Sequence, residues 1–113
     1  MKYIFTFSFL SVFAFAQDFD AGIVKTNELT FAVNSFSSGY NIPWGMTFLP
    51  NGEMLVSDLS GKLFRVINNG KQKKEILGVP KVLFKRQGGL LDVEIHPDYK
   101  KNHLVYIAYS HQI

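Results

Sequence analysis

The feature that most constrains the fold of this chain is a sequence pattern that occurs twice. Met46-Thr-Phe-Leu-Pro-Asn51 matches Val93-Glu-Ile-His-Pro-Asp98, and the two prolines lie 47 positions apart. A looser match relates Met54–Ser57 to Leu104–Ile107. Repeats of about 40 to 50 residues are typical of β-propellers, in which each repeat forms one four-stranded blade. The pattern therefore predicts an all-β protein of the β-propeller class.

Short apolar segments and tight polar turns fill the first repeat. Asn51-Gly52 stands between two apolar segments, which is a strong signal of a β-hairpin. The pattern predicts four strands in one antiparallel sheet, at Met46–Leu49, Glu53–Ser57, Lys62–Ile67 and Lys71–Leu77. We assign the first blade to residues 44–80 and the connecting loop to residues 81–89. A second blade begins at about residue 90 with the predicted strand Leu90–Ile95.

A propeller closes its ring with four to eight blades, and residues 43–113 hold only about one and a half of them. The apolar faces of the predicted strands would therefore lack neighbouring sheets. We expect the sequence to be the front part of a longer protein. A small β domain that oligomerises is the weaker alternative.

The first 16 residues have the character of a secretory signal peptide. Lys2 precedes an apolar stretch that ends in Ala14-Phe15-Ala16, the small-x-small pattern of a cleavage site. We therefore predict export to the periplasm or the medium, with no membrane association after cleavage. Residues 17–42 form an N-terminal segment with a mobile start that includes Gly22. Alternating apolar and polar residues in Glu28–Phe36 predict one strand there.

Composition argues against several classes of protein. The chain has no cysteine, which excludes disulfides and cysteine-based zinc or redox sites. Its formal net charge of +3 is too small to indicate the dense basic face that nucleic-acid binding requires.

The candidate binding residue lies where the two predicted blades join. Gln87 stands directly before Gly88-Gly89, and a buried strand follows. Glycine allows backbone conformations and close approaches that other residues do not. Binding loops of all-β proteins commonly occupy such positions. An ordinary solvated glutamine in a tight turn is the alternative interpretation.

Three segments, Pro43–Gly52, Gly61–Val66 and Gln87–Tyr99, resemble the start of the PQQ-dependent soluble aldose dehydrogenases, also called the glucose/sorbosone dehydrogenase family. The similarity extends from about Leu29 to Tyr109. Its most specific part is the run Gln-Gly-Gly-Leu-Leu-Asp followed by His-Pro-Asp-Tyr.

The resemblance implies a six-bladed propeller that binds pyrroloquinoline quinone (PQQ) and calcium over its central opening. Family members oxidise the anomeric carbon of an aldose to a lactone and pass the electrons to an external acceptor. Gln87 matches the family's glutamine that helps to hold the sugar, and an amide can donate and accept hydrogen bonds without titrating. Lys85 and Arg86 adjoin Gln87, and contact of these cations with an anionic carboxylate of the cofactor is a weaker alternative to an ordinary surface role.

Other functional residues of the family fall beyond Ile113. None of His96, His103 and His111 matches the catalytic histidine, and the calcium ligands and the arginine that meets the cofactor also lie further along. We therefore expect no turnover by this chain alone. Two other functions remain open: an exported, non-catalytic propeller that binds a partner, and a calcium-dependent lactonase-type propeller.

Several other residues have structural interpretations. Asp58 lies in a predicted turn and Asp92 in a predicted strand, so structural roles are favoured over paired acid–base catalysis. Trp44 is interpreted as an anchor in the core of a blade. The cluster Lys71, Lys73 and Lys74 is interpreted as the solvated edge of the sheet.

Overall fold

The computed structural model describes residues 22–112, and strands account for nearly all of their regular structure. The strands are β1 (Gly22–Lys25), β2 (Thr30–Val33), β3 (Pro43–Phe48), β4 (Met54–Asp58), β5 (Lys62–Ile67), β6 (Gln72–Ile76), β7 (Leu90–Ile95) and β8 (Val105–Tyr109). One short helix in this range, α1 (Tyr99–Asn102), precedes β8. The predicted signal peptide, residues 1–16, lies outside the described residues. Between residues 22 and 112 no helix is long and apolar enough to cross a bilayer.

The chain divides into two compact units after Asn34, and the first contains an antiparallel hairpin of β1 and β2. Thr26 closes its turn, because Oγ1 of Thr26 donates to the carbonyl of Leu29 and accepts from its N–H, each at 3.0 Å. The strand predicted in Glu28–Phe36 is confirmed over Thr30–Val33. The predicted mobile start is wrong for Gly22, which begins β1. Four residues are too few to show a clear period of two.

In the second unit, β3 to β6 form one antiparallel sheet in chain order, and all four predicted strands are confirmed. β3 begins three residues earlier than predicted, and the ends of the others differ by at most one residue. The predicted turns are also present. Asn68, Asn69 and Gly70 adopt φ values of 53°, 52° and 84°, in the left-handed region that asparagine and glycine tolerate best.

β7 and β8 form a separate two-stranded sheet, and β7 has the predicted bounds. The helix α1 was not predicted, since a single helical turn is too short to show a period of 3.6 residues. It ends at His103, which has a φ of 55° and donates its N–H to the carbonyl of Tyr99 at 2.9 Å.

The 47-residue repeat is exact in the structure, because β3 spans 43–48 and β7 spans 90–95. Equivalent residues of the two strands also contact one another. Thr47 Oγ1 donates to Glu94 Oε1 at 2.8 Å, and a Cβ on Gly45 would lie 2.6 Å from Asp92 Oδ1. The two strands therefore lie side by side, as the innermost strands of successive propeller blades do.

A single apolar core joins the two sheets, and its buried members are Leu49, Leu55, Leu63, Leu90 and Val93. A fully buried polar group also crosses this interface. Ser57 is fully buried, and its Oγ accepts from the N–H of Gly45 at 2.9 Å and donates to the carbonyl of Leu91. The hydroxyl thus has partners on both neighbouring strands, as a buried polar group requires. The packing of the sheets fixes both ends of the loop that carries Gln87.

Candidate functional site

Gln87 occupies the third position of a tight turn between the two sheets. The turn is closed by a hydrogen bond of 2.9 Å from the N–H of Gly88 to the carbonyl of Lys85. Arg86, at the second position, has a φ of 58°. This conformation is uncommon for a residue other than glycine and persists only where its surroundings impose it. The side chain of Gln87 is exposed to solvent.

Hydrogen bonds connect this turn to the end of β8 through Ser110. The N–H of Leu83 donates to the carbonyl of Ser110, and Ser110 Oγ donates back to the carbonyl of Leu83, both at 2.8 Å. The N–H of Ser110 donates to the carbonyl of Gly89 at 2.9 Å. A Cβ on Gly88 would lie only 2.7 Å from Ser110 Oγ. Sequence reasoning missed Ser110, since a lone serine after a strand carries no distinguishing pattern.

The other side of the turn contacts the loop that follows β4. The N–H of Leu90 donates to the carbonyl of Leu59 at 3.2 Å, and a Cβ on Gly89 would lie 2.0 Å from that carbonyl oxygen. Only glycine permits this approach, which explains one glycine of the Gly88-Gly89 pair. The backbone leading to Gln87 is thus held between Leu59 and Ser110.

Asp58 organises the loop that contains Leu59, and its structural interpretation is confirmed. Its side chain is 1% exposed. One carboxylate oxygen accepts the N–H groups of Asn41 and Ile42, at 2.7 and 3.1 Å, and the other accepts the N–H and hydroxyl of Ser60, at 3.0 and 2.6 Å. Burial alone would raise the pKa of Asp58, but these hydrogen bonds outweigh it and lower the pKa below its ordinary value.

The turn offers a ligand an amide and two cations. Within residues 22–112, no side chain or backbone group bonds to the amide of Gln87, and no carboxylate pairs with Lys85 or Arg86. The Gln87 amide can therefore donate to one ligand oxygen and accept from another. The two cations would favour a negatively charged group nearby.

Two of the three histidines lie at the opposite end of the sheets from Gln87. β7 separates Gln87 from His96, and its six residues span roughly 20 Å. Nδ1 of His96 accepts the N–H of Asp98 at 2.9 Å, a structural role in the turn. His103 ends α1, beside the ring of Tyr99. His111 follows β8 at the Gln87 end, beside Lys81 to Leu83.

Asp92 has the structural role that the sequence indicated, whereas Trp44 does not have the role that was predicted for it. Asp92 Oδ1 accepts the N–H of Val93 at 2.9 Å, a local structural contact. Trp44 does not anchor a buried core in the part of the chain that the structure describes. It lies on the face of β3 that points away from β7, and it is 55% exposed. No sheet among the described residues covers that face.

No three histidine or acidic side chains of the described range come close enough together to hold a metal ion. Calcium, which the family resemblance implies, finds no ligand set among these residues.

The fold defines the class of protein. The two sheets repeat at a 47-residue interval and pack face to face, and the constrained loop that joins them lies at one end. This part of the chain is therefore a partial β-propeller. The family model for Glucose / Sorbosone dehydrogenase matches residues 40–113, and the chain belongs to this family. The resemblance predicted from the sequence is thereby confirmed.

Three similar proteins illustrate the relationship. The chain is 39% identical over 98 residues to an uncharacterized protein of Synechocystis sp., a match that covers 79% of the chain and 24% of that protein. It is 38% identical over 69 residues to the aldose sugar dehydrogenase YliI of Escherichia coli, covering 60% of the chain and 19% of that protein.

The third is a solved structure, the PQQ-bound form of an aldose sugar dehydrogenase from Streptomyces coelicolor. It superposes with a TM-score of 0.63 at 37% identity, over 66% of this chain and 23% of that one. The chain therefore spans about a fifth to a quarter of the length of these proteins.

The close approach at Gly89 predicts a large cost for Gly89→Ala. We expect a loss of more than about 2 kcal/mol in the free energy of unfolding, because the new methyl group forces Leu59 and β7 apart. Gly78→Ala is the matched control, since Gly78 has a positive φ of 88° but open space around it. Its cost should stay near 1 kcal/mol. Urea unfolding monitored by circular dichroism measures both, and equal costs would contradict the account.

The buried carboxylate predicts a pH-dependent effect of Asp58→Asn. Because the folded-state pKa is lowered, the stabilisation is present above the ordinary value of 3.8 and is lost as the pH falls through the folded-state value. At pH 7 the variant should be about 1–3 kcal/mol less stable than the wild type, and the difference should shrink below pH 4. Unfolding curves at a series of pH values test this.

Asp98→Asn is the control for that series, because Asp98 is exposed and makes no side-chain capping bond to α1. Its effect should be small at every pH. A constant difference between Asp58→Asn and the wild type from pH 7 to pH 3 would mean that the charge of Asp58 is not what stabilises the loop.

Proposed function

We propose that the full-length protein containing this chain is a PQQ-dependent dehydrogenase that oxidises an aldose at its anomeric carbon to a lactone. The observation that carries the proposal is the turn at Gln87, which exposes an unpartnered amide beside two cations on a constrained backbone. Similarity to the PQQ-bound aldose sugar dehydrogenase of Streptomyces coelicolor supports the choice of cofactor.

In this proposal Gln87 binds and orients the sugar. Its carbonyl oxygen accepts from one sugar hydroxyl, and its NH₂ donates to another sugar oxygen. The hydrogen bonds through Ser110 and the contact at Leu59 hold the turn in place before substrate arrives. A preorganised binding group loses little conformational freedom on binding, and so contributes more to affinity and orientation.

Lys85 and Arg86 fit the anionic character of the cofactor. Neither has a carboxylate partner within residues 22–112, so their charges are available to its carboxylates. Bound PQQ would supply the chemistry by accepting a hydride from the anomeric carbon. The base that removes the hydroxyl proton and the ligands of calcium would come from other parts of the full-length protein.

The proposal has two consequences for this chain. First, it should not oxidise sugar alone, because the family resemblance places the catalytic histidine beyond Ile113 and none of His96, His103 and His111 matches it. Second, the full-length enzyme needs an external electron acceptor to regenerate the oxidised cofactor. The predicted signal peptide supports export, where PQQ, calcium and aldoses must all be available.

The test is aldose-dependent reduction of an artificial electron acceptor by the full-length protein with PQQ and calcium. Gln87→Ala should lower kcat/KM about tenfold or more, the size of one or two lost hydrogen bonds to substrate. PQQ affinity, measured separately by absorbance titration, should change much less, because the amide is assigned to the sugar.

Gln72→Ala is the control, since Gln72 is also an exposed glutamine and lies on β6, the edge strand of the first sheet. It should leave kcat/KM unchanged. Absence of PQQ binding by the full-length protein would contradict the enzyme hypothesis and favour an exported, non-catalytic binding propeller. Calcium-dependent hydrolysis of a lactone without PQQ would favour the lactonase-type alternative.

A further inference from the structure

A groove at the end of the sheets opposite Gln87 is lined by basic and polar side chains. It has a volume of about 410 Å³, and its lining includes Asn51, Arg65, Tyr99, Lys100 and His103. Cavities of this size are typical of small-molecule sites. Among the described residues that line it, none is acidic. The groove therefore suits an anionic ligand.

The cationic donors of this groove are available to a ligand. Nε of Arg65 donates to Oε2 of Glu53, and the two terminal nitrogens of the guanidinium have no partner within residues 22–112. The ammonium of Lys100 and the imidazole of His103 also make no hydrogen bond to a described residue. Because Glu53 pairs only with Arg65, the charge of Lys100 is not offset by a carboxylate partner in this range.

Local structure fixes the positions of the lining residues before a ligand arrives. The N–H of Leu49 donates to the carbonyl of Glu53 at 2.7 Å, which closes the turn between β3 and β4. Within that turn Oδ1 of Asn51 accepts the N–H of Glu53 at 3.1 Å, so the NH₂ of Asn51 remains as a donor. The ring of His103 packs edge-on against that of Tyr99, with 5.5 Å between centroids. Such preorganisation lowers the conformational cost of binding.

The donor set is better suited to a phosphate group than to a carboxylate. The donors come from three separate parts of the chain: the turn between β3 and β4, the strand β5 and the end of α1. A phosphate monoester offers three strong acceptor oxygens, whereas a carboxylate offers two. Arginine binds phosphate through pairs of N–H groups, and lysine binds it as a point charge.

The groove also has an apolar part. Leu49, Pro50 and the ring of Tyr99 belong to the same lining as the cations. Inorganic phosphate gains nothing from such a surface, whereas the organic part of a phosphate ester would remove apolar area from water there. The lining therefore favours a phosphate monoester over inorganic phosphate, although both share the phosphate chemistry.

We propose that this groove is a binding site for a small phosphate monoester. Arg65, Lys100 and His103 bind its phosphate group, and Pro50 and Tyr99 contact its organic part. The six residues of β7 span roughly 20 Å between this end of the sheets and the end that carries Gln87. The site is therefore separate from the one proposed for the sugar, and the inference does not depend on the proposed enzymatic activity.

Isothermal titration calorimetry of the full-length protein, at constant ionic strength, tests the inference with inorganic phosphate and phenyl phosphate as probes. We expect saturable binding of both, and tighter binding of phenyl phosphate because its ring uses the apolar part of the groove. Lys100→Gln should weaken the binding of both probes at least about fivefold, since it removes a charge-assisted contact. His103→Asn should also weaken it, and asparagine tolerates the backbone φ of 55° at this position.

Lys101→Gln is the matched control, since Lys101 is also an exposed lysine in the last turn of α1 but does not line the groove. Its effect on either affinity should stay below about twofold. Equal losses in Lys100→Gln and Lys101→Gln would assign the binding to the general positive charge of this surface and would overturn the proposal. Absence of saturable binding to the wild type would overturn it as well. Equal affinity for the two probes would overturn the assignment to a monoester and favour inorganic phosphate.

Titration in the presence of saturating PQQ separates this groove from the turn at Gln87. The affinity for phenyl phosphate should not change, because the two sites lie at opposite ends of the sheets. Loss of phenyl phosphate binding on addition of PQQ would place the probe at the cofactor site and overturn the proposal. If the protein does not bind PQQ, the enzyme hypothesis fails, while the comparison of Lys100→Gln with Lys101→Gln still decides the assignment of the groove.

Discussion

The packing of β7 against the first sheet is the interaction on which the rest of the structure depends. Leu90 and Val93 enter a core formed by Leu49, Leu55 and Leu63, and this core removes large apolar side chains from water. A four-stranded sheet would have low stability by itself if this apolar face were left uncovered. The contact also brings equivalent residues of β3 and β7 together, so the repeat in the sequence corresponds to a structural repeat.

The candidate site is a product of that packing. The turn at Gln87 is the point at which the chain leaves one blade and enters the next, and both of its ends are fixed by the sheets. Gly89 lies directly on Leu59, whose loop is organised by the buried carboxylate of Asp58. On the other side of the turn, a hydrogen bond from Ser110 Oγ to the carbonyl of Leu83 holds the backbone in place. A buried carboxylate thus contributes to the position of the exposed side chain of Gln87.

Much of this could be predicted from the sequence, because strands and turns leave local patterns. The Asn51-Gly52 turn and the alternation in Lys62–Ile67 located two hairpins, and the second copy of the repeated pattern, Val93–Asp98, located β7. Contacts between distant segments left no such pattern. Nothing local in the sequence indicates that Ser110 bonds to Leu83, or that Trp44 is exposed in this part of the protein.

The most direct measurement of the central claim, that the Gln87 turn faces the ligand, is hydrogen–deuterium exchange on the full-length protein with and without PQQ. The account predicts slower exchange in the peptide that covers residues 83–89 when PQQ is bound. Exchange at the Asn51-Gly52 turn, at the opposite end of the sheets, should not change. Saturating PQQ that leaves residues 83–89 unaffected would contradict the assignment of this turn as the site.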